Sequence, residues 1–132
     1  MRYLLDTHVL VFWYADDRKL SRPYRQLLGR IERRGEQIGV SAISLWEIAK
    51  LVERSKLQLQ RSLDECLAEV ETNPSIELLP ISARIAAEST RLGPAFPRDP
   101  ADQLIAATAR CHGLVLLTKD DLIRDSGAVS VL

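Results

Sequence analysis

The segment Leu114-Val-Leu-Leu-Thr118 shows no alternation of apolar and polar residues. A strand with one face open to water would alternate, because successive side chains point to opposite sides of a sheet, so this run predicts a strand buried on both faces. Comparable short runs recur at Tyr3–Leu5, Gln37–Ser41 and Ile76–Ile81, and Ala128–Leu132 reads as a last strand. Helix signals separate them. Val9–Tyr14 carries bulky residues on nearly every face and predicts a buried helix after a turn at Asp6-Thr7. Pro23 suits a first helical position, and Leu27, Leu28 and Ile31 form a stripe that stops at Gly35. Ser44-Leu-Trp-Glu47 and Ser62-Leu-Asp-Glu65 have the spacing of capping boxes, opening helices that run to about Arg54 and to Asn73-Pro74. Ser82 caps a helix containing Ile85 and Ala86. Asp99-Pro100 pairs an N-cap with proline at the next position and starts a small-residue helix ending at Gly113, and a helical turn covers Asp120–Arg124. Strands alternating with helices predict an α/β fold, a parallel sheet covered by helices.

At 132 residues, with no repeat or linker, the chain reads as one domain spanning 1–132. Eighteen Lys and Arg balance eighteen Asp and Glu, so no overall positive field would draw it onto nucleic acid or membrane. Any polyanion it handles must be met by a local patch or a bound metal. The longest apolar run, Val9–Ala15, is too short to span a bilayer, and no secretory cleavage pattern follows it, so a cytoplasmic location with no membrane partner is expected. Cys66 and Cys111 have neither the spacing nor the histidine partners of a disulfide scaffold or zinc site.

Functional groups in open parallel sheets gather beyond the carboxyl ends of the strands. Asp6 follows the first strand directly, and Asp120 lies two residues beyond the fourth. Glu47 is expected in the first turn of the helix after the second strand, and Asp102 in the first turn of the helix before the fourth. Between Trp46 and Ile48, Glu47 loses hydration unless a cation meets it. That cation is either Lys50, in an ordinary ion pair, or a metal. Asp102 either complements its helix dipole or joins the same cluster. Carboxylates converging without His or Cys suit a hard cation such as Mg²⁺ or Mn²⁺, and the chemistry that fits is hydrolysis of a phosphodiester.

Asp6-Thr-His-Val-Leu10, Ser41-Ala-Ile-Ser-Leu-Trp-Glu-Ile48, Asp99-Pro-Ala-Asp-Gln-Leu-Ile-Ala-Ala-Thr-Ala109 and Leu117-Thr-Lys-Asp120 resemble, in order, the motif blocks of PIN-domain ribonucleases. More narrowly, the chain resembles a VapC-type toxin of a toxin–antitoxin pair. The resemblance spans essentially the full length. It implies a PIN-like three-layer α/β/α fold with a central, mostly parallel five-stranded sheet, and endoribonuclease activity dependent on Mg²⁺ or Mn²⁺. It also implies an RNA substrate, homodimerisation and inhibition by a cognate antitoxin protein. The family's acidic quartet falls on Asp6, Glu47, Asp102 and Asp120 as catalytic and metal-binding residues. Asp99 is an additional acid at the metal, its direct role left open, and Thr118 matches a hydroxyl that supports the site.

Arg22, Arg25, Arg30, Arg33 and Arg34, with Lys50, Arg54 and Arg98, form either a phosphate-binding surface or a solvated face. The seven aromatics, mostly in Tyr3–Tyr14 and at Trp46, read as core and dimer contacts, and His8, with no zinc or triad partners, as structural. A catalytically silent PIN-like module binding RNA or a protein is the alternative function, and the intact quartet argues against it. A phosphatase using Asp6 as nucleophile would want a second Asp two residues on, where the chain has His8.

Overall fold

The computed structural model describes residues 1–132. Its elements are β1 (Tyr3–Leu5), α1 (Thr7–Tyr14), α2 (Arg22–Arg33), β2 (Ile38–Ser41), α3 (Ala42–Glu53), α4 (Leu63–Thr72), β3 (Ile76–Leu79), α5 (Ala83–Glu88), α6 (Pro100–His112), β4 (Val115–Leu117) and α7 (Asp121–Ser126). The strands pair in the order β3-β2-β1-β4, all parallel. Leu5 lies beside Val40 on one side and Leu117 on the other. The ends of β1, β2 and β4 are therefore level, and whatever follows them shares one edge of the sheet.

Alternation along the strands divides the core in two. Leu5, Val40 and Leu117 face a cluster built with Val9, Leu10, Tyr24, Leu27, Leu28, Ile31 and Ile48 of the first helices. Leu4 and Leu116 face the other way, onto Phe96, Ile105, Ala106, Ala109 and Ile123. Helices on both faces explain why the strands read as continuous apolar runs. Gly39 lets the two sides of β2 close up: a Cβ there would lie 3.2 Å from methyl carbons of both Leu4 and Leu79. In α2 the apolar stripe is buried, while Arg22, Arg25, Arg30 and Arg33 are exposed. No helix is long and apolar enough to cross a membrane.

The sheet has four strands where five were expected. The segment at Ala128–Leu132 contributes one parallel bridge, Val131 to Leu116. The bridge is held by Leu116 N donating to the Ser130 carbonyl at 2.8 Å and Leu132 N to the Leu116 carbonyl at 3.2 Å, while the Leu132 carbonyl accepts from the Tyr24 hydroxyl at 2.8 Å and from Arg124 at 3.3 Å. Strand β3 stops at Leu79, since Pro80 has no N–H to offer. Helix α1 starts at Thr7, and α3 starts at Ala42 because Ser41, ending β2, caps it by accepting from Ile43 N at 3.2 Å. Ser44 is thus not a cap. It lies buried within α3, its hydroxyl 2.9 Å from that of Thr7, and Glu47 falls in the second turn.

Candidate active site

Three of the five acids sit at helix N-caps, which fixes where their carboxylates can point. Asp6 ends β1 and caps α1: Oδ1 accepts from Thr7 N at 2.8 Å and Oδ2 from the Thr118 hydroxyl at 2.6 Å. The bond from Thr118 exists because β1 and β4 are neighbours in level register. The same hydroxyl accepts from Asp120 N at 3.1 Å. Asp120 caps α7, with Oδ1 accepting from Leu122 N at 2.8 Å and Ile123 N at 3.3 Å. Asp99 caps α6, with Oδ1 accepting from Ala101 N at 2.9 Å and Asp102 N at 3.3 Å. In Asp99 and Asp120 the cap occupies one oxygen and leaves the other for the pocket. Asp102 stands in the first turn of α6, a helix held against the sheet by buried Ile105, Ala106, Ala107 and Ala109.

Glu47 comes from α3, which packs against both α1 and α6. Its Oε1 is buried without a hydrogen-bond partner. The ion pair with Lys50 that would have explained it does not form, because Lys50 bonds to Glu53 at 3.0 Å. All five acids, with His8, Phe12 and Lys119, line one cavity of about 360 Å³. Carboxylate oxygens of Glu47, Asp99 and Asp102 come within 4.8 Å of one another.

The electrostatics follow from this crowding. Burial raises the Asp102 carboxyl from 3.8 to about 8, and the charges of Asp6, Asp99, Glu47 and Asp120 add to the rise. Burial likewise pushes Glu47 up, with Asp6 and Asp99 adding to it and the Thr7 hydroxyl opposing. Asp6, only 4% exposed, is raised by burial against the lowering effect of its bonds from Thr118 and Thr7. Three acids whose ionised forms are disfavoured, one with an orphaned buried oxygen, are a set that a hard cation would satisfy. The oxygen-only donors match Mg²⁺ or Mn²⁺.

The pocket thus brings together Asp6, Glu47, Asp99, Asp102 and Asp120, and excludes Arg98 and the α2 arginines. His8, expected to be structural, is exposed on the pocket wall, one helical turn from Phe12. Lys119 and Phe12 also line it, although Phe12 reads in the sequence as a core or dimer contact. The signals were the i, i+4 spacing of His8 and Phe12 and the position of Lys119 between Thr118 and Asp120. Of the aromatics, Tyr24 and Phe96 are core, whereas Trp46 is half exposed beside Glu47.

Comparison with known proteins shows the family and the fold. The chain is 36% identical over 121 residues to Ribonuclease VapC22 of Mycobacterium tuberculosis (strain ATCC 25618 / H37Rv), covering 92% of this chain and 88% of the relative. Its fold matches VapBC2 from Rickettsia felis, solved bound to a DNA fragment from their promoter, with a TM-score of 0.73 at 18% identity, covering 100% of this chain and 98% of that one. It also matches DNA-bound VapBC from Salmonella typhimurium, with a TM-score of 0.70 at 22% identity, over 100% and 97% of the two chains. At those identities the structural matches speak to the fold alone. The PIN domain family model matches residues 3–127, and with the sequence identity above this establishes that the chain belongs to the PIN-domain family.

Proposed function

We propose that this protein is an endoribonuclease that hydrolyses RNA phosphodiester bonds with Mg²⁺ or Mn²⁺, acting in the cytoplasm as the toxin of a toxin–antitoxin pair. The observation that carries the chemistry is the convergence of five carboxylates in one cavity, with a buried Glu47 oxygen left without any protein partner. The identity to a ribonuclease over 92% of the chain supports RNA as the substrate.

Asp6, Glu47, Asp102 and Asp120 would hold the ion as the catalytic quartet, with the free oxygen of Asp99 beside them. A bound divalent ion supplies positive charge against the phosphoryl oxygens and makes a nearby water more acidic. The chain's own contribution is rigidity and sign. Thr118 and the α1 N-terminus fix both oxygens of Asp6, and the caps fix Asp99 and Asp120. Burial raises Glu47 and Asp102 in the metal-free site, and a bound cation would favour their ionised forms.

The cognate antitoxin is the proposed protein partner, supported by structural neighbours solved as toxin–antitoxin complexes. An arginine inserted among the carboxylates would pair with them bidentately in the ion's place. A homodimer is the proposed assembly, to be tested by light scattering at micromolar concentration. The decisive experiment on function is cleavage of RNA by purified protein. Activity is expected with Mg²⁺ or Mn²⁺, none in EDTA, and a loss of orders of magnitude in Asp6→Asn and Glu47→Gln with the fold intact by circular dichroism. Undiminished cleavage by Asp6→Asn would overturn the site.

A further inference from the structure

The acidic pocket has one cationic wall. Lys119 lines it together with Phe12, and its ammonium lies 5.4 Å from the centroid of the Phe12 ring. Lys19, from the turn between α1 and α2, brings its ammonium to 5.7 Å from the same centroid. The two are tied together, Lys119 Nζ donating to the Lys19 carbonyl. The turn carrying Lys19 is itself ordered: Lys19 N donates to Asp17 Oδ1 at 2.8 Å, and Arg25 donates to the Asp17 carbonyl at 2.8 Å.

Neither ammonium pairs with a carboxylate. The ion pairs of the chain are Arg25 with Asp16, Lys50 with Glu53, Arg61 with Glu69 and Arg110 with Glu88. With five acids lining the same cavity, Coulomb attraction alone would lay Lys119 across them. Instead both ammonium groups lie within cation–π range of the Phe12 ring and form no ion pair with the acids. Two like charges from separate elements thus converge on one ring, an arrangement that an anion would relieve.

We propose that Lys19 and Lys119, seated on Phe12, form a clamp for the backbone of single-stranded RNA, gripping a phosphate that flanks the one cleaved. The clamp rests on the ribonuclease reading and adds to it where the strand lies. A net charge of zero gives the chain no long-range pull on RNA, so a strand entering a pocket of carboxylates needs cations close at hand. None of the α2 arginines lines the pocket. The exposed His8 ring, its centroid 6.3 Å from that of Phe12, offers a splayed base a surface beside the clamp, which a paired duplex would not use.

The test is steady-state cleavage of a single-stranded RNA oligonucleotide in Mn²⁺ at increasing KCl, with binding followed separately by fluorescence anisotropy. The variants are Lys19→Gln, Lys119→Gln and the double substitution. The double variant is expected to lower the slope of log affinity against log salt by about 0.7, the contribution of one neutralised phosphate on a single strand, and each single variant by a part of that. The double variant should raise KM about ten-fold with kcat little changed, since phosphate contacts hold the strand without touching the reacting bond. Calorimetric Mn²⁺ affinity should stay at the wild-type value. An unchanged salt slope in the double variant overturns the clamp, and so does a fall in Mn²⁺ affinity that accounts for the lost activity, because the lysines would then act on the acids. A wild type that binds RNA with the lysine-dependent slope yet does not cleave it would end the ribonuclease reading and leave the clamp standing.

Discussion

Asp99 and Asp102 share a helix face, yet the structure gives them different duties. Asp99 spends one oxygen on the first turn of α6, whereas Asp102 has been raised to about 8 by burial among other acids. Asp99→Ser can still cap and should keep Mn²⁺ affinity within about ten-fold, the scale of a supporting group. Asp102→Asn should lose Mn²⁺ affinity and cleavage together. Asp99→Ala should separately cost about 1 kcal/mol of stability through the lost cap. Calorimetry with urea melts distinguishes these, and the reverse order of affinities would make Asp99 the principal ligand. Asp6 and Asp120 could be placed in the sequence because each abuts an apolar strand, and the Asp99 cap because proline follows it. The pairing of Lys119 with Phe12 could not, since it depends on how α1 lies against the residues that follow β4. Nor could the choice of Ser41 over Ser44 as cap: both are hydroxyls followed by a helical pattern, and only the end of β2 decides between them.

Helix α2 reaches the site without entering it. The Tyr24 hydroxyl accepts from Thr118 N at 3.2 Å, and the Thr118 and Leu132 carbonyls lie 3.0 and 2.8 Å away as acceptors for its single hydrogen. Arg124 of α7 bridges the same two carbonyls, at 3.1 and 3.3 Å. Tyr24→Phe keeps the buried ring but leaves the Thr118 N–H without a partner, so it should destabilise the protein by about 1–3 kcal/mol, read from urea unfolding. A change within about 0.5 kcal/mol, the size of an ordinary surface substitution, would mean that water substitutes for the phenol. The missing fifth strand belongs to this scale too. Ala128–Leu132 has a strand's composition, but its pairing is confined to one bridge, and the Leu132 carbonyl is taken by Tyr24 and Arg124. Propensity shows the composition and not which partners the backbone finds.

For the molecule as a whole, the crowded carboxylates link stability to pH. Asp102 holds its proton more tightly folded than unfolded, so between its ordinary 3.8 and about 8 the folded state carries the extra proton. The stabilisation is fully present below the lower value and is lost as pH rises through the upper one. In EDTA the melting temperature should therefore fall across that range. Mg²⁺ binds the ionised form, so the rise in melting temperature on adding it should grow with pH over the same interval. Calorimetric scans with and without Mg²⁺ check both trends, and a metal-free melting temperature that climbs through the window would contradict the protonated pocket.

The order of strands has a consequence in time. Asp6 lies near the start of the chain, but its backbone N–H donates to the Leu117 carbonyl, at the end of β4, the last strand in sequence, and its carboxylate accepts from the hydroxyl of Thr118, the next residue. Asp120 follows directly behind. Pairings so distant along the chain form late, because the intervening loop must be closed before any contact rewards it. Until β4 has left the ribosome, the edge of β1 that receives it has no strand to pair with. An unfinished chain therefore has acids but no assembled pocket, and the cluster of carboxylates is among the last features it acquires.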